Sequence, residues 1–299
     1  MNKVLGALGG NKAADAFRKT VSGDPTGAPE WAQQMAIGND IGLFGPGSAV
    51  WEVHGCIATL VGGIRALLMQ AAHPAALTGV AEHSAYDTDP LGRLERTTRW
   101  LTITSFGSTE AIESEARRVR EMHKRVSGEF ETKLGAHAHY SASDPRYLLW
   151  VHCAFTDSFL RAHEELGYEL PQGADSYVRE WAKSAQPLGL EKAPLSKQEL
   201  AEVMKNFAAS EVASITMTPP IVGFILKPPF SRGGLFFYRI LANAAISTID
   251  EPFLSVLGVK KRSKGWLKVS RMFLDFLSHM LGHESPSQKI ARKRIQALQ

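Results

Sequence analysis

Cysteine is scarce: only Cys56 and Cys153 occur in 299 residues. They stand far apart in apolar contexts, with no CxxC pair and no Cys/His spacing of a zinc site. That excludes a disulfide-dense scaffold. It reads as buried, reduced thiols, with one disulfide as the alternative. Long hydrophobic runs are also missing. The nearest, Val53–Ala76, is interrupted by His54, Arg65, Gln70 and His73, and reads as a buried helix rather than a membrane span. Met1 to Arg18 lacks the continuous apolar stretch and small-residue cleavage site of a signal peptide, so cytoplasmic residence is expected. Charge of one sign is not in excess either. A net +4, with no Lys/Arg run interleaved with aromatics, argues against nucleic acid as a partner. The basic clusters Lys260–Lys264 and Arg292–Arg294 read as solvated surface. HExxH, GxSxG, Walker A and GxGxxG motifs are absent, and no Glu-x-x-His exists to build a ferritin-like di-iron bundle.

What is present is helical periodicity within a 44% hydrophobic composition, enough for one large core. Residues 1–47, rich in Gly and Pro, read as an arm packed on the main body. Residues 48–82 predict a mostly buried helix that kinks or breaks after His73, before Pro74. Asp89-Pro90 predicts an N-cap followed by a first-turn proline, with a helix running to Gly107. Ser108 caps a second helix expected to run to about Val126, with Gly128 as its stop. Asp144-Pro145 starts a third, ending near Gly167. Further helices are expected at 175–185, 197–210, 235–249 and 264–282, and the piece Ile221–Leu226 could be helical or extended. No run of alternating strands is evident. The expected class is all-α, one main domain over 48–285, followed by a basic C-terminal tail over 286–299.

Several residues break the apolar pattern. Ile112, Ala116, Val119, His123 and Val126 form one stripe, so His123 stands where an apolar side chain is expected. A buried imidazole must find a partner: a metal, a backbone carbonyl or a serine. His152 poses the same question within Leu148, His152, Phe155 and Phe159, and His73 and His83 add two more imidazoles. Arg93, Arg96 and Thr97 share one helix face, which suits carboxylate or phosphate groups, or is simply solvated.

Read together, these segments resemble a known family. They are Arg65-Ala-Leu-Leu-Met-Gln-Ala-Ala-His73-Pro74, Glu82-His83-Ser84, Asp89-Pro90-Leu-Gly-Arg93-Leu-Glu-Arg96-Thr97, Met122-His123-Lys-Arg-Val126-Ser-Gly128, Tyr140-Ser-Ala-Ser-Asp144-Pro145 and Leu149-Trp150-Val151-His152. Their order and spacing over roughly residues 40–285 resemble the MpaB oxygenases and the catalytic domain of rubber oxygenase (latex clearing protein). The resemblance implies a helical domain with a globin-like core around haem b. It implies that His123, in an His-x-x-Val context, is the proximal iron ligand, with Arg93 and Thr97 beside the haem. His152, from its stripe position alone, could flank the same planar cofactor or be satisfied within the protein, and which of His123 and His152 meets a metal stays open. Where rubber oxygenases carry a lysine this chain carries Arg96, which stays protonated and cannot easily offer a lone pair to iron. Their catalytic glutamate has no secure counterpart, and His73, Glu82 and His83 are the polar residues nearby. Polyisoprene is therefore not the implied substrate.

The resulting expectation is a haem b-dependent oxygenase or peroxygenase acting on an apolar, lipid- or terpenoid-like molecule. In it His73, His83 and Arg96 are the candidate catalytic groups, and Arg93, Thr97, His123 and His152 the cofactor-binding ones. The alternative is a non-catalytic haem or apolar-ligand binder. A third feature is the aromatic and basic stretch 253–282, which core packing would explain or which would make a weak peripheral membrane contact. Oligomeric state is left open.

Overall fold

In the computed structural model, the described residues are 15, 18, 19, 24–84 and 90–298, less the side chains of Pro90, Leu91, Arg93 and Leu94. The chain is helical almost throughout. Helix α1 spans Ala49–Gly55, α2 Thr59–Ala71, α3 Pro74–His83, α4 Pro90–Phe106 and α5 Thr109–His123. A hairpin of β1 (Ser127–Glu131) and β2 (His137–Ser141) follows. Then come α6 (Pro145–Glu165), α7 (Ala174–Trp181), α8 (Lys197–Ser210), α9 (Thr218–Leu226), α10 (Arg232–Ser247), α11 (Glu251–Leu257), α12 (Gly265–Leu281) and α13 (Pro286–Gln296). Short 3-10 turns cover Glu30–Ala36 and Ala182–Leu188.

The caps follow the side chains that the sequence offers. Ser48, Ser108, Asp144, Ser196 and Ser285 each accept a backbone N–H of the first turn that would otherwise lack a partner. Asp89, the expected cap of α4, lies outside the described residues. The expected 48–82 helix is instead three pieces. Besides the break at His73, the chain turns by 90° between α1 and α2. Among the described residues no single helix is long and apolar enough to cross a membrane, though this bent pair passes on length and composition together.

The expectation of no strands is corrected by the hairpin. Its register pairs Ser127 with Ser141 and Phe130 with Ala138. Helix α5 therefore stops at His123, short of Val126, and Gly128 is a strand residue rather than a helix stop. The sheet buries only Phe130 and Tyr140, in a small cluster with Ala75. Its other faces are polar, so it carries too few apolar residues to read as a strand pair.

One large apolar cluster runs from Trp31 and Met35 through α1, α2, α6, α7 and α11 to Ile295, beside the small one under the hairpin. Helices α2 and α6 form its centre. They approach closely because Gly62 presents no Cβ: a methyl there would lie 2.7 Å from the Phe159 ring and 3.2 Å from its Cα. Arg65, 1% exposed, crosses the same interface. It donates to Thr248 Oγ1 at 3.1 Å and Ser158 Oγ at 2.8 Å and pairs with Asp157 at 2.7 Å.

Candidate functional site

Helix α3 carries sequence-selected histidines at both ends, and the structure gives them different surroundings. His73, buried, is the N-cap of α3. Its Nδ1 accepts the Ala75 N–H at 3.2 Å, so the ring proton of the neutral form sits on Nε2. That nitrogen faces Glu211 Oε2 at 3.1 Å, and Arg146 reaches the same carboxylate oxygen at 2.8 Å. Burial would raise the Glu211 pKa, but the hydrogen bond and charge of His73 and the charge of Arg146 outweigh it and hold the carboxyl below its usual value. Tyr147, Trp150 and Phe207 pack their rings around His73. Both nitrogens are thus engaged. Glu211 lies 138 positions away in the chain, so no local spacing could have announced it.

At the other end of α3, His83 Nε2 faces the Ser127 carbonyl at 3.2 Å. Tyr140 donates its hydroxyl to Glu82 Oε2 at 2.8 Å. Gly79 and Gly128 let α3 and the hairpin close on the Tyr140 ring, where a Cβ would meet it at about 3.2 and 3.0 Å. From α4, exposed Arg96 donates to the Ser84 carbonyl at 3.4 Å, and Thr97 beside it is half-buried. The side chain of Arg93 lies outside the described residues. Val126, four residues before Phe130, accepts from Ala142 and donates to the His123 carbonyl, tying the end of α5 to the hairpin. The end of α3 is thus tied to the start of β1 by His83 and to α4 by Arg96, and the end of α5 leads into the same hairpin three residues after His123. His73 sits at the opposite end of α3, about 15 Å from His83 by helical rise.

His123 differs from the other two histidines. It continues the buried stripe of Ile112, Ala116 and Val119 and is half-buried, and neither of its nitrogens has a hydrogen-bond partner among the described residues. Burial lowers its pKa, so the ring is neutral at pH 7. His152, on α6, is similar: no partner for its ring among the described residues, and a pKa driven by burial to about 4. A neutral imidazole with an unshared lone pair is the form that binds iron.

Beside the middle of α3 lies a small, mainly apolar crevice. It is lined by Leu67, Gln70 and Ala71 of α2, Leu77 and Val80 of α3, and Ile221 and Ile225 of α9. Val80 is one turn from His83 on α3. The crevice is shallow, with enclosed room for no more than about one water molecule. Among the described residues no group of three or more His, Cys, Asp or Glu side chains is arranged to cage a metal.

A second buried polar centre escaped the sequence reading, where His54 figures only as an interruption of an apolar run. Its Nδ1 lies 2.7 Å from Ser105 Oγ and its Nε2 2.8 Å from the Tyr177 hydroxyl. Ser105 donates to the Leu101 carbonyl, which makes its oxygen an acceptor for Nδ1–H and leaves Nε2 to accept from Tyr177. Phe159, Tyr177 and Trp181 surround the ring. Burial, with the like charge of His163, drives its pKa to about 3.

A family profile described as "ER-bound oxygenase mpaB/B'/Rubber oxygenase, catalytic domain" matches residues 51–279. The chain belongs to this family. It is accordingly an enzyme, an oxidoreductase of the oxygenase type. No curated protein and no solved structure matches the chain. The oxygenase catalytic domain so delimited begins in α1 and ends in α12. It includes α3 to α5, the crevice, and His123 and His152. The 3-10 turn Glu30–Ala36 and α13 lie outside it but share its core.

Proposed function

We propose that this oxygenase domain is haem b-dependent, with His123 as the iron ligand, and that it oxidises an apolar, lipid- or terpenoid-like molecule with O2 or peroxide. The observation that carries the reading is the state of His123. It is a half-buried, neutral imidazole on a core stripe with no protein partner among the described residues. With no group among the described residues claiming either nitrogen, the lone pair of this neutral ring is available for coordination. A porphyrin supplies four of the iron's ligands itself, so one imidazole suffices where no three-residue cage exists among the described residues. His123 offers the nitrogen such a group requires, and Arg96 offers an exposed cation for its anionic edge.

When bound, haem b would supply the iron chemistry that activates the oxidant. The protein's own groups have separate tasks. Arg96, exposed on α4, would pair with an anionic group such as a propionate, as would Arg93 from the same helix, and Thr97 would hydrogen-bond at the haem edge. His83, held through Nε2 to the Ser127 carbonyl, keeps Nδ1 free to hold or pass a proton. His73, with both nitrogens engaged, would position α3 against α8 and α6. His152, neutral and unpartnered, would face the haem from α6. The crevice side chains Leu67, Leu77, Val80, Ile221 and Ile225 would take an apolar portion of the substrate and exclude water.

The test is turnover. Haem-loaded protein is incubated with O2 or hydrogen peroxide and a panel of unsaturated lipids and terpenoids, and products are read by mass spectrometry. Oxygen-bearing products that depend on haem support the proposal. A haem-loaded protein that forms a stable O2 adduct yet converts none of the panel contradicts the catalytic part.

A further inference from the structure

An exposed apolar face spans two adjacent helices far from His123 in sequence. On α12 the residues Val269, Met272, Phe273 and Phe276 recur at steps of three, one and three, so they share one side of the helix. Met272 is 75% and Phe276 64% exposed. On α10, Phe236 and Phe237 are 62% and 47% exposed. The two helices join through these rings. Phe237 stacks on Phe273 with centroids 5.0 Å apart and planes within 6°, and Phe236 touches Phe237 at 5.5 Å. The opposite side of α12, Leu267, Ser270, Leu274 and Leu277, is buried in the fold. Core packing thus accounts for one side of the helix and leaves the aromatic side facing water.

The segments that carry this face are basic. Between residues 227 and 276 there are nine Lys or Arg against Asp250, Glu251 and Asp275. That is +6 in a chain whose total is +4, so the remainder is net acidic. Asp250 is paired with Arg161, and Asp275 with Arg271. Lys227, Arg232, Arg239, Lys260, Arg262 and Lys268 are exposed and make no ion pair among the described residues. Exposed aromatic and thioether side chains on segments rich in unneutralised cations match a bilayer carrying anionic headgroups: the rings enter the headgroup–acyl boundary while the cations stay at phosphate level. A second copy of the chain is a poorer partner, because a two-fold interface through this face would set the same cations against each other.

We infer that the α10–α12 face docks the protein on an anionic membrane surface through Phe236, Phe237, Met272 and Phe276, held by Lys and Arg of the same segments. This docking is independent of haem. It revises the sequence view of 253–282, since Phe253, Leu254, Leu257 and Leu267 are core. The docking residues come from α12 and, unannounced, from α10.

The full chain is sedimented with vesicles of phosphatidylcholine alone and of phosphatidylcholine with phosphatidylserine, at low and high salt. Binding is expected to the anionic vesicles only, and to weaken with salt. Phe236→Gln/Met272→Gln/Phe276→Gln and Lys260→Glu/Arg262→Glu/Lys268→Glu alter only exposed side chains. Each is expected to weaken binding by roughly tenfold or more, with circular dichroism and thermal midpoint unchanged. Equal or no binding to both vesicle types overturns the inference. So does ultracentrifugation showing a dimer that the Gln variant splits, because the occupant is then a second copy.

Discussion

His54 and His152 show how strongly a single imidazole can couple this fold to pH. Both have folded pKa values pulled far below 6.5 by burial, to about 3 and about 4. As pH falls through 6.5, the unfolded chain takes up protons that the folded chain refuses. Stability is therefore full above about pH 6.5 and is lost progressively toward the folded pKa values, by at most about 1.4 kcal/mol per pH unit for each ring. Urea denaturation at pH 7, 6, 5 and 4.5 should show a falling midpoint. His54→Gln, which removes one of the two rings, should give a shallower fall. A variant with the parental pH slope would mean that His54 is not held neutral by the fold. At the same scale, Glu211→Gln removes the charge shared by His73 and Arg146. It should destabilise by about 1–3 kcal/mol because the buried His73 Nε2 loses a charged acceptor.

Helices α2 and α6 depend on two devices at their interface, and each can be removed separately. Arg65 is 1% exposed, and burial alone would raise the Asp157 carboxyl. The charges of Arg65 and Arg161 outweigh it and hold the carboxyl below its usual value. Arg65→Leu removes the guanidinium from which Ser158 and Thr248 accept and leaves the Asp157 carboxylate to Arg161 alone, while both hydroxyls keep their bonds to backbone carbonyls. The expected loss is about 3–5 kcal/mol in denaturant unfolding, and a loss below about 1 kcal/mol would mean that the network is dispensable. Gly62→Ala tests the close approach. With Phe159 Cα only 3.2 Å from the added methyl, overpacking of about 1–3 kcal/mol is expected, against a gain if the helix merely benefited from alanine. Element by element, the sequence was most readable where a cap and a period coincide. Ser108 and Asp144-Pro145 mark the starts of α5 and α6 because each side chain satisfies a first-turn N–H locally. The 90° turn at Cys56–Ala58 was hidden because the apolar pattern continues across it. The hairpin was hidden because only Phe130 and Tyr140 among its ten residues are buried.

Across the whole molecule, the ends of the described chain clasp each other. The segment read as a basic tail forms α13, closed by a capping box at Ser285 and Gln288. Arg294, 6% exposed, donates to the carbonyls of Met35 at 2.6 Å and Phe106 at 3.1 Å, joining the N-terminal 3-10 turn to the end of α4. Gln288 packs so closely on Gly55 that a Cβ would overlap its amide. Arg294 looked like solvated surface because its acceptors are backbone carbonyls, which no residue pattern encodes. Removing residues 286–299 should lower the melting temperature although the matched oxygenase domain is left whole; an unchanged melting temperature would make α13 an ornament. The candidate site was legible to a similar degree. His123 stood out because it interrupts a stripe, while His83 and Arg96 bond the backbone at Ser127 and Ser84. Glu211, Tyr177 and the α10–α12 face arise from contacts between distant segments and left no periodic trace.

The central claim is that the unpartnered imidazole of His123 holds haem iron. Its most direct measurement is the absorption spectrum of the purified protein reconstituted with haem, beside His123→Ala and His152→Ala treated identically. The account predicts a Soret band with the signature of histidine-ligated haem in the parent and in His152→Ala, lost or shifted to that of free haem in His123→Ala. A parent that acquires no such band, or a His123→Ala spectrum identical to the parent's, contradicts it.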